Sequence, residues 1–249
     1  MAVFTEVTLL QAELFLRQFD LGLLHSIEGC AGGIENTNYF LSTDRGEYVL
    51  TLFERLRFEQ LPFYLYLMQH LARRGIPVPE PQAARHSGDI LHRLHGKPAA
   101  VVNKLRGKSV LGPGTQHCAV VGATLARLHL AGRDFERWQP NLRGLPWWNE
   151  TVPVVLPFLD PDQAALLQSE LAYQNQIAAD PAYAALPRGP VHADLFRDNV
   201  MFDGAQLSGF FDFYFAGVDS WLFDLAVCLN DWCIDLASGS HHAERADAL

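Results

Sequence analysis

The chain has 249 residues, 49% of them hydrophobic and 19% charged, enough for a self-sufficient core in one large domain or two small ones, which excludes a disordered tail or a fibrous repeat. Lys and Arg number 19 against 28 Asp and Glu, a formal charge of −9, so bulk charge argues against nucleic-acid binding, and any phosphate must be held locally by backbone amides or a divalent metal. Cys30, Cys118, Cys228 and Cys233 are too few and scattered for a disulfide scaffold and lack metal-knuckle spacing; they read as reduced, buried thiols of a cytoplasmic protein.

In chain order, residues 8–19 carry Leu9, Leu10, Leu14 and Phe15 at helical spacing, which predicts an amphipathic opening helix. Residues 27–41 read as a strand, a turn rich in glycine (Gly29, Gly32, Gly33) and a second strand; residues 47–53 form a third after the turn at Asp44, Arg45 and Gly46. A helix is expected over 58–74, with Leu61, Leu65, Met68 and Leu71 on one face and Gly75 as its stop. Pro77, Pro79 and Pro81 force an extended segment, and residues 90–94 and 98–105 predict two strands around Gly96. From about Gly107 the texture turns helical, over 115–131, 160–179 (Asp160 as N-cap, Pro161 at the first helical position) and 221–237. The expected organisation is a β-rich lobe at 1–105, a crossing at 103–107, and a mostly helical lobe at 106–249. No apolar run resembles a signal peptide, and the most apolar stretch, 210–229, is broken by Asp212, Asp219 and Asp224, so no membrane span is expected.

The chemistry concentrates in residues 191–213. Val200, Met201 and Phe202 and then Gly209, Phe210 and Phe211 are strand-like, with Asp203 and Gly204 opening the turn between them. Such a hairpin returns the chain to its start, so Asn199 before it and Asp212 after it should end side by side, an amide oxygen and a carboxylate suited to Mg²⁺. Asp194, on the entering loop, can face the same point and take a proton from an attacking hydroxyl. The His-x-Asp-x4-Asn spacing of His192, Asp194 and Asn199 is that of the kinase catalytic loop; Asp212 and Phe213 match the kinase metal motif, with Tyr214 where that motif has Gly. His192 is read as a supporting residue that holds the loop, and Asp224 as structural, either capping a helix or bonding the loop. The turn at 29–33 lies where a flap over nucleotide phosphates belongs, its N–H groups supplying the positive field that the net charge lacks; Asn36 and Asn38 either bond within the flap or reach substrate.

With these residues assembled, the chain resembles the aminoglycoside phosphotransferase and choline kinase superfamily, and within it the bacterial homoserine kinases. The carrying segments are 32–39, 48–54, 75–79, 141–144, 192–199 and 212–217. The resemblance implies an α+β, bilobal protein-kinase-like fold: an N-terminal antiparallel β lobe with an inserted helix, and a mainly helical C-terminal lobe carrying a catalytic loop and β-hairpin. It further implies ATP and Mg²⁺ as cofactors and L-homoserine as the favoured small-molecule acceptor. Asp194 would be the base and Asn199 and Asp212 the metal ligands. Gly32, Gly33, Asn36 and Asn38 would line the nucleotide, with Asn103 and Leu105 in the hinge that touches adenine. Other acceptors stay open, among them choline, an aminoglycoside, methylthioribose or a fructosamine, as does a non-catalytic nucleotide-binding relative. A choline cage could draw on Trp147, Trp148, Trp221 and Trp232, although their helical spacing favours core packing. Three departures stand out. Thr51 occupies the place where many relatives carry a phosphate-clamping Lys or Arg, leaving Arg45 or Lys104 as possible substitutes. The helix over 58–74 offers no obvious Glu to pair with such a Lys. Relatives also continue with further helices beyond the point matching residues 244–249.

Overall fold

A computed structural model describes residues 3–32 and 35–249. In chain order the elements are α1 (Leu9–Leu16), β1 (Leu24–Gly29), β2 (Asn36–Thr43), β3 (Gly46–Phe53), α2 (Pro62–Arg73), β4 (His92–Leu94), β5 (Lys97–Asn103), α3 (Thr115–Ala131), α4 (Leu145–Val155) and α5 (Pro161–Ala178). There follow α6 (Pro181–Ala184), β6 (Arg188–Val191), β7 (Val200–Asp203), β8 (Gln206–Phe210), β9 (Gly217–Ser220), α7 (Trp221–Trp232) and α8 (Ala243–Ala248). They group into two compact units: Met1–Val110 with Val200–Tyr214, and Leu111–Asn199 with Phe215–Leu249. The hairpin β7–β8 thus belongs with the β-rich unit, whereas a single division at 105/106 assigns it to the helical part. Backbone bonds between Lys108 and Phe202 account for this grouping (3.0 and 2.9 Å), and Gly107 makes them possible. Its φ is +83°, and a Cβ there would lie 1.9 Å from the Phe202 carbonyl oxygen.

The first unit is built on an antiparallel five-stranded sheet of order β1-β2-β3-β5-β4. Alternation along the strands sends Tyr39, Leu41, Leu50, Leu52, Ala99 and Val101 into one core with Ala12, Phe15, Leu16 and Phe19 of the α1 region. The buried stripe of α1 is therefore Ala12, Phe15 and Leu16. Leu9, Leu10 and Leu14, expected on the apolar face, are 45%, 61% and 52% exposed. The start of α1 is set by a capping box, in which Thr8 and Gln11 each accept the other's backbone N–H (3.3 and 2.8 Å). Between β3 and β4, α2 buries Leu65, Met68 and Leu71 as the spacing predicts, with Leu61 buried just before it; a 3-10 turn at Phe58–Gln60 precedes it and Gly75, at φ +75°, ends it.

Beside this core lies a charged cluster. Lys97 pairs with Glu54, whose other oxygen accepts from Thr5 and Thr37, both at 2.7 Å; the Glu54 side chain is only 12% exposed. Burial pushes the Glu54 carboxyl up, but the bonds from Lys97, Thr5 and Thr37 outweigh it and hold the carboxyl below its usual range. A depressed folded-state value contributes stability above the unfolded value, and that contribution is lost as the pH falls through the folded value. Glu54→Gln is accordingly expected to lower Tm by a constant amount above about pH 5, with the gap from wild type narrowing only as the pH falls further, through the lowered folded value. Thermal melts across that range check it, and a pH-independent gap would contradict it.

In the second unit α3, α5 and α7 match the periodic segments, although α7 ends at Trp232, short of the expected 237. Asp160 caps α5, accepting from the Gln163 N–H at 2.8 Å. Two features had no clear local signature. Helix α4 carries Pro153 in its interior and buries only Val152. Strands β6 and β9 pair antiparallel across 25 intervening residues, and Asp219 on β9 binds Asn141 and Arg188 (both 2.9 Å). All four cysteines are free, three of them buried. No helix among the described residues is long and apolar enough to cross a membrane.

Candidate active site

The loop from His192 to Asn199 leaves β6 and is held almost entirely by α7 and α3. Asp224, in the first turn of α7 and 0% exposed, accepts the backbone N–H groups of His192 (2.9 Å) and Ala193 (2.7 Å) and pairs with His129 Nε2 of α3 (2.8 Å). The His129 ring stacks on Trp221 at 5.2 Å and 6°. This carboxylate bonds the loop, one of the two structural roles the sequence left open for it. His192 is fully buried, and its Nδ1 accepts the Asp194 N–H at 3.3 Å. Ala193 sits at φ +65°, a left-handed conformation that costs a non-glycine residue roughly 1–2 kcal/mol; Asp224 pins the backbone ahead of it and His192 Nδ1 the Asp194 N–H after it.

The far end of the loop is anchored by Arg197, a residue with no role in the sequence reading. Its backbone N–H and Nε donate to Asp231 Oδ2 (2.7 and 3.0 Å), Nη1 to the Leu111 carbonyl (2.9 Å), and Nη2 to the Asp231 and Ile234 carbonyls (3.1 Å to the latter). The Leu195 carbonyl accepts from Trp232 Nε1 at 2.9 Å and lies 3.8 Å from the Cys228 thiol, whose burial pushes its pKa well up and leaves it a structural group. The available signal was an arginine in the apolar setting of Leu195 and Phe196, with Asp231 on a following helix.

So fixed, the loop brings Asp194 and Asn199 together. Asn199 Nδ2 donates to the Asp194 carbonyl at 2.8 Å and to its carboxylate at 3.0 Å. With its amide nitrogen bound to Asp194, Asn199 keeps Oδ1 as its other polar atom, an oxygen donor of the kind a hard divalent cation takes. Asp212 lies in the first unit, two residues beyond the Phe210 that pairs with Val200, at φ +64°. Tyr214 follows. Its ring packs edge-on against Phe53 of β3 (5.0 Å) and Tyr64 of α2 (6.0 Å). Burial, aided by the Asp212 carboxylate and opposed by Thr51, pushes the Tyr214 phenol far above its usual range, so it remains an O–H group.

Of the residues expected to line a nucleotide, Gly32 is exposed at the end of the β1–β2 connection, and Gly33 lies outside the described residues. Asn36 faces Phe53 and Asn38 faces Thr51 in the β2–β3 register, and Asn38 Oδ1 accepts from the Thr51 hydroxyl at 2.7 Å. The Asn103 side-chain oxygen accepts the Glu80 N–H, fastening the proline-rich segment to β5. Leu105 packs over Gly209 of the hairpin. Arg45 pairs with Asp20 at the β2–β3 turn, six residues from Thr51 and so about 20 Å along the strand. Lys104 holds its ammonium 4.2 Å above the Phe40 ring, and Phe40 shares a strand face with Asn38. Of the four tryptophans, Trp148 is half-buried and the other three divide. Trp232 is fully buried and Trp221 stacks on His129, in keeping with core packing, but Trp147 is exposed with the Arg143 guanidinium 5.0 Å above it.

The antiparallel sheet with its inserted helix, and the strained loop pinned by buried acids, define a phosphotransferase of the protein-kinase-like fold. Residues 26–246 match the model of the phosphotransferase enzyme family, and the chain belongs to that family. Among curated proteins it is similar to the homoserine kinase of Polaromonas naphthalenivorans (strain CJ2), 69% identical over 249 residues that cover 100% of this chain and 78% of the relative. It is also similar to the homoserine kinase of Burkholderia pseudomallei (strain 1710b), 56% identical over 257 residues, covering 100% of this chain and 77% of the relative. Among solved structures it resembles a spectinomycin phosphotransferase in complex with ADP and spectinomycin (TM-score 0.70, 14% identity, 91% of this chain and 74% of that one). A GDP complex of aminoglycoside 2'-phosphotransferase-IIIa is similar in the same way (TM-score 0.65, 18% identity, 91% and 79%).

Proposed function

We propose that the chain transfers the γ-phosphoryl group of ATP to the side-chain hydroxyl of L-homoserine. The observation that carries the chemistry is the Asp194–Asn199 pair, a carboxylate and an amide locked 3.0 Å apart on a loop that buried groups prevent from relaxing. The acceptor rests on the 69% and 56% identity to proteins named homoserine kinase. In this reading Asp194 accepts the proton of the attacking hydroxyl and orients its oxygen, while Asn199 and Asp212 are the protein ligands of Mg²⁺. The ion, when bound, neutralises phosphate charge. Asn199 serves two ends: its amide protons hold Asp194 in place, and its oxygen is left for the cation. His192, Asp224, Arg197 and Asp231 touch no substrate; they fix the loop so that little reorganisation is needed at the moment of transfer. An acidic chain also suits an acceptor with an ammonium group better than a polyanionic one.

An ADP-release assay with ATP and Mg²⁺ against a panel of homoserine, choline and an aminoglycoside tests the reading. Homoserine is expected to give the highest kcat/KM. Preference for another alcohol would change the acceptor, and binding of Mg-ATP without turnover on any of them would remove the catalytic reading.

A further inference from the structure

We infer that Arg143 is a specificity-determining residue that receives the carboxylate of the acceptor, so that the site selects an alcohol bearing an acid group. The inference rests on the proposed transfer to homoserine, whose carboxylate a chain of net charge −9 must meet with a local positive group. The Arg143 guanidinium lies 5.0 Å above the Trp147 ring and 5.3 Å above that of Phe215. Aromatic rings hold a guanidinium by its face and take none of its N–H donors. Among the described residues no carboxylate pairs with this side chain, and the residue is exposed, so its planar fork is open to a bidentate anion.

Strand register places this group at the catalytic end of the second unit. Strands β6 and β9 pair with Val191 opposite Gly217. Asp194 lies three residues after Val191 and Phe215 two before Gly217, so the catalytic loop and the Phe215 ring leave the ribbon at the same end. The backbone of Arg143 is fixed against β9 by Asn141, which is 7% exposed, donates to Asp219 Oδ2 at 2.9 Å and accepts the Arg143 N–H at 2.9 Å. Gly217 permits this approach: a Cβ there would stand 2.7 Å from the Asn141 Cα and from the Pro140 carbonyl oxygen. Asp219 is already shared between Asn141 and Arg188, so the acid of this cluster does not claim Arg143. Trp147, one turn further along in α4, completes a platform that holds the guanidinium before any ligand arrives, which spares the cost of ordering it on binding. A four-carbon amino acid alcohol carries its hydroxyl at one end and its carboxylate at the other, one for Asp194 and one for Arg143.

The test measures kcat and KM of the wild type, Arg143→Met and Arg143→Lys on two acceptors, homoserine and aminopropanol, which is homoserine without its carboxylate. Tm and calorimetric titration with Mg-ADP serve as controls. The wild type is expected to favour homoserine over aminopropanol by about 10–100-fold in kcat/KM, the change that charge-assisted hydrogen bonds to one carboxylate command. Arg143→Met keeps an unbranched stem against the two rings and removes the fork. It should lower kcat/KM on homoserine by about 10–100-fold, chiefly through KM, and leave aminopropanol within about 2-fold. Arg143→Lys, which keeps the charge without the fork, should fall between the two on homoserine. Tm and Mg-ADP binding should match the wild type in both variants. An equal loss on both acceptors, as a contact to phosphate or a general disturbance of the loop would give, overturns the inference, and so does unchanged kcat/KM on homoserine. Either result in a wild type that phosphorylates homoserine leaves the proposed function standing. A wild type that prefers choline to homoserine defeats the proposed acceptor and takes this inference with it.

Discussion

Asp194→Asn is expected to lower kcat by about 10²–10⁴-fold, the usual worth of a positioned general base, with Mg-nucleotide binding nearly unchanged. The substitution preserves the volume of the side chain, and its amide oxygen can still accept from Asn199 Nδ2, so the pair at 3.0 Å need not come apart. What is lost is the capacity to take a proton from the acceptor. The loop itself should survive, since its anchors are Asp224, Arg197 and Asp231 and the fold does not depend on the Asp194 charge. Steady-state ADP release combined with nucleotide titration separates the two quantities. Turnover near that of the wild type would remove Asp194 from the chemistry.

Asp224→Ala should cost the most stability for its size. It deletes the acceptor of two backbone N–H groups and of His129 in a fully buried setting, so three donors lose their partner at once. Stripping a buried, hydrogen-bonded carboxylate of this kind costs about 3–5 kcal/mol, a large share of a typical total of about 5–15 kcal/mol. For a chain of this length that corresponds to a fall in Tm of roughly 6–20 °C. Activity should fall with it even well below Tm, because Ala193 keeps its left-handed φ of +65° only while its N–H is held. Asp224→Asn is expected to do nearly as badly, since its amide nitrogen would face donors. A Tm within about 1 °C of the wild type would show that the loop is held by other means.

The contrast between Asp194 and Asp224 shows what could be seen in advance. Asp194, Asn199 and Asp212 stood out because their spacing around a short hairpin is a local pattern, and β7 and β8 form with Val200 opposite Phe210 as that pattern requires. The buried face of α2 was legible for the same reason: period and stop both act within a few residues. Helix α1 was read with its stripe rotated, for of Leu9, Leu10, Leu14 and Phe15 only Phe15 is buried, and the first three satisfy helical spacing as well as Ala12 and Leu16 do. Only the sheet beneath it selects between them.

Short-range order in the chain was therefore enough to settle the type of most elements and the hairpin, though not α4 or the β6–β9 pair, since periodicity and turn chemistry involve neighbours. The partners of those groups were settled by folding alone: Asp224 meets His192 and Ala193 from 32 and 31 residues away and His129 from 95, and Arg197 meets Asp231 across 34. A buried donor must find an acceptor wherever packing supplies one, and no spacing rule spans such separations.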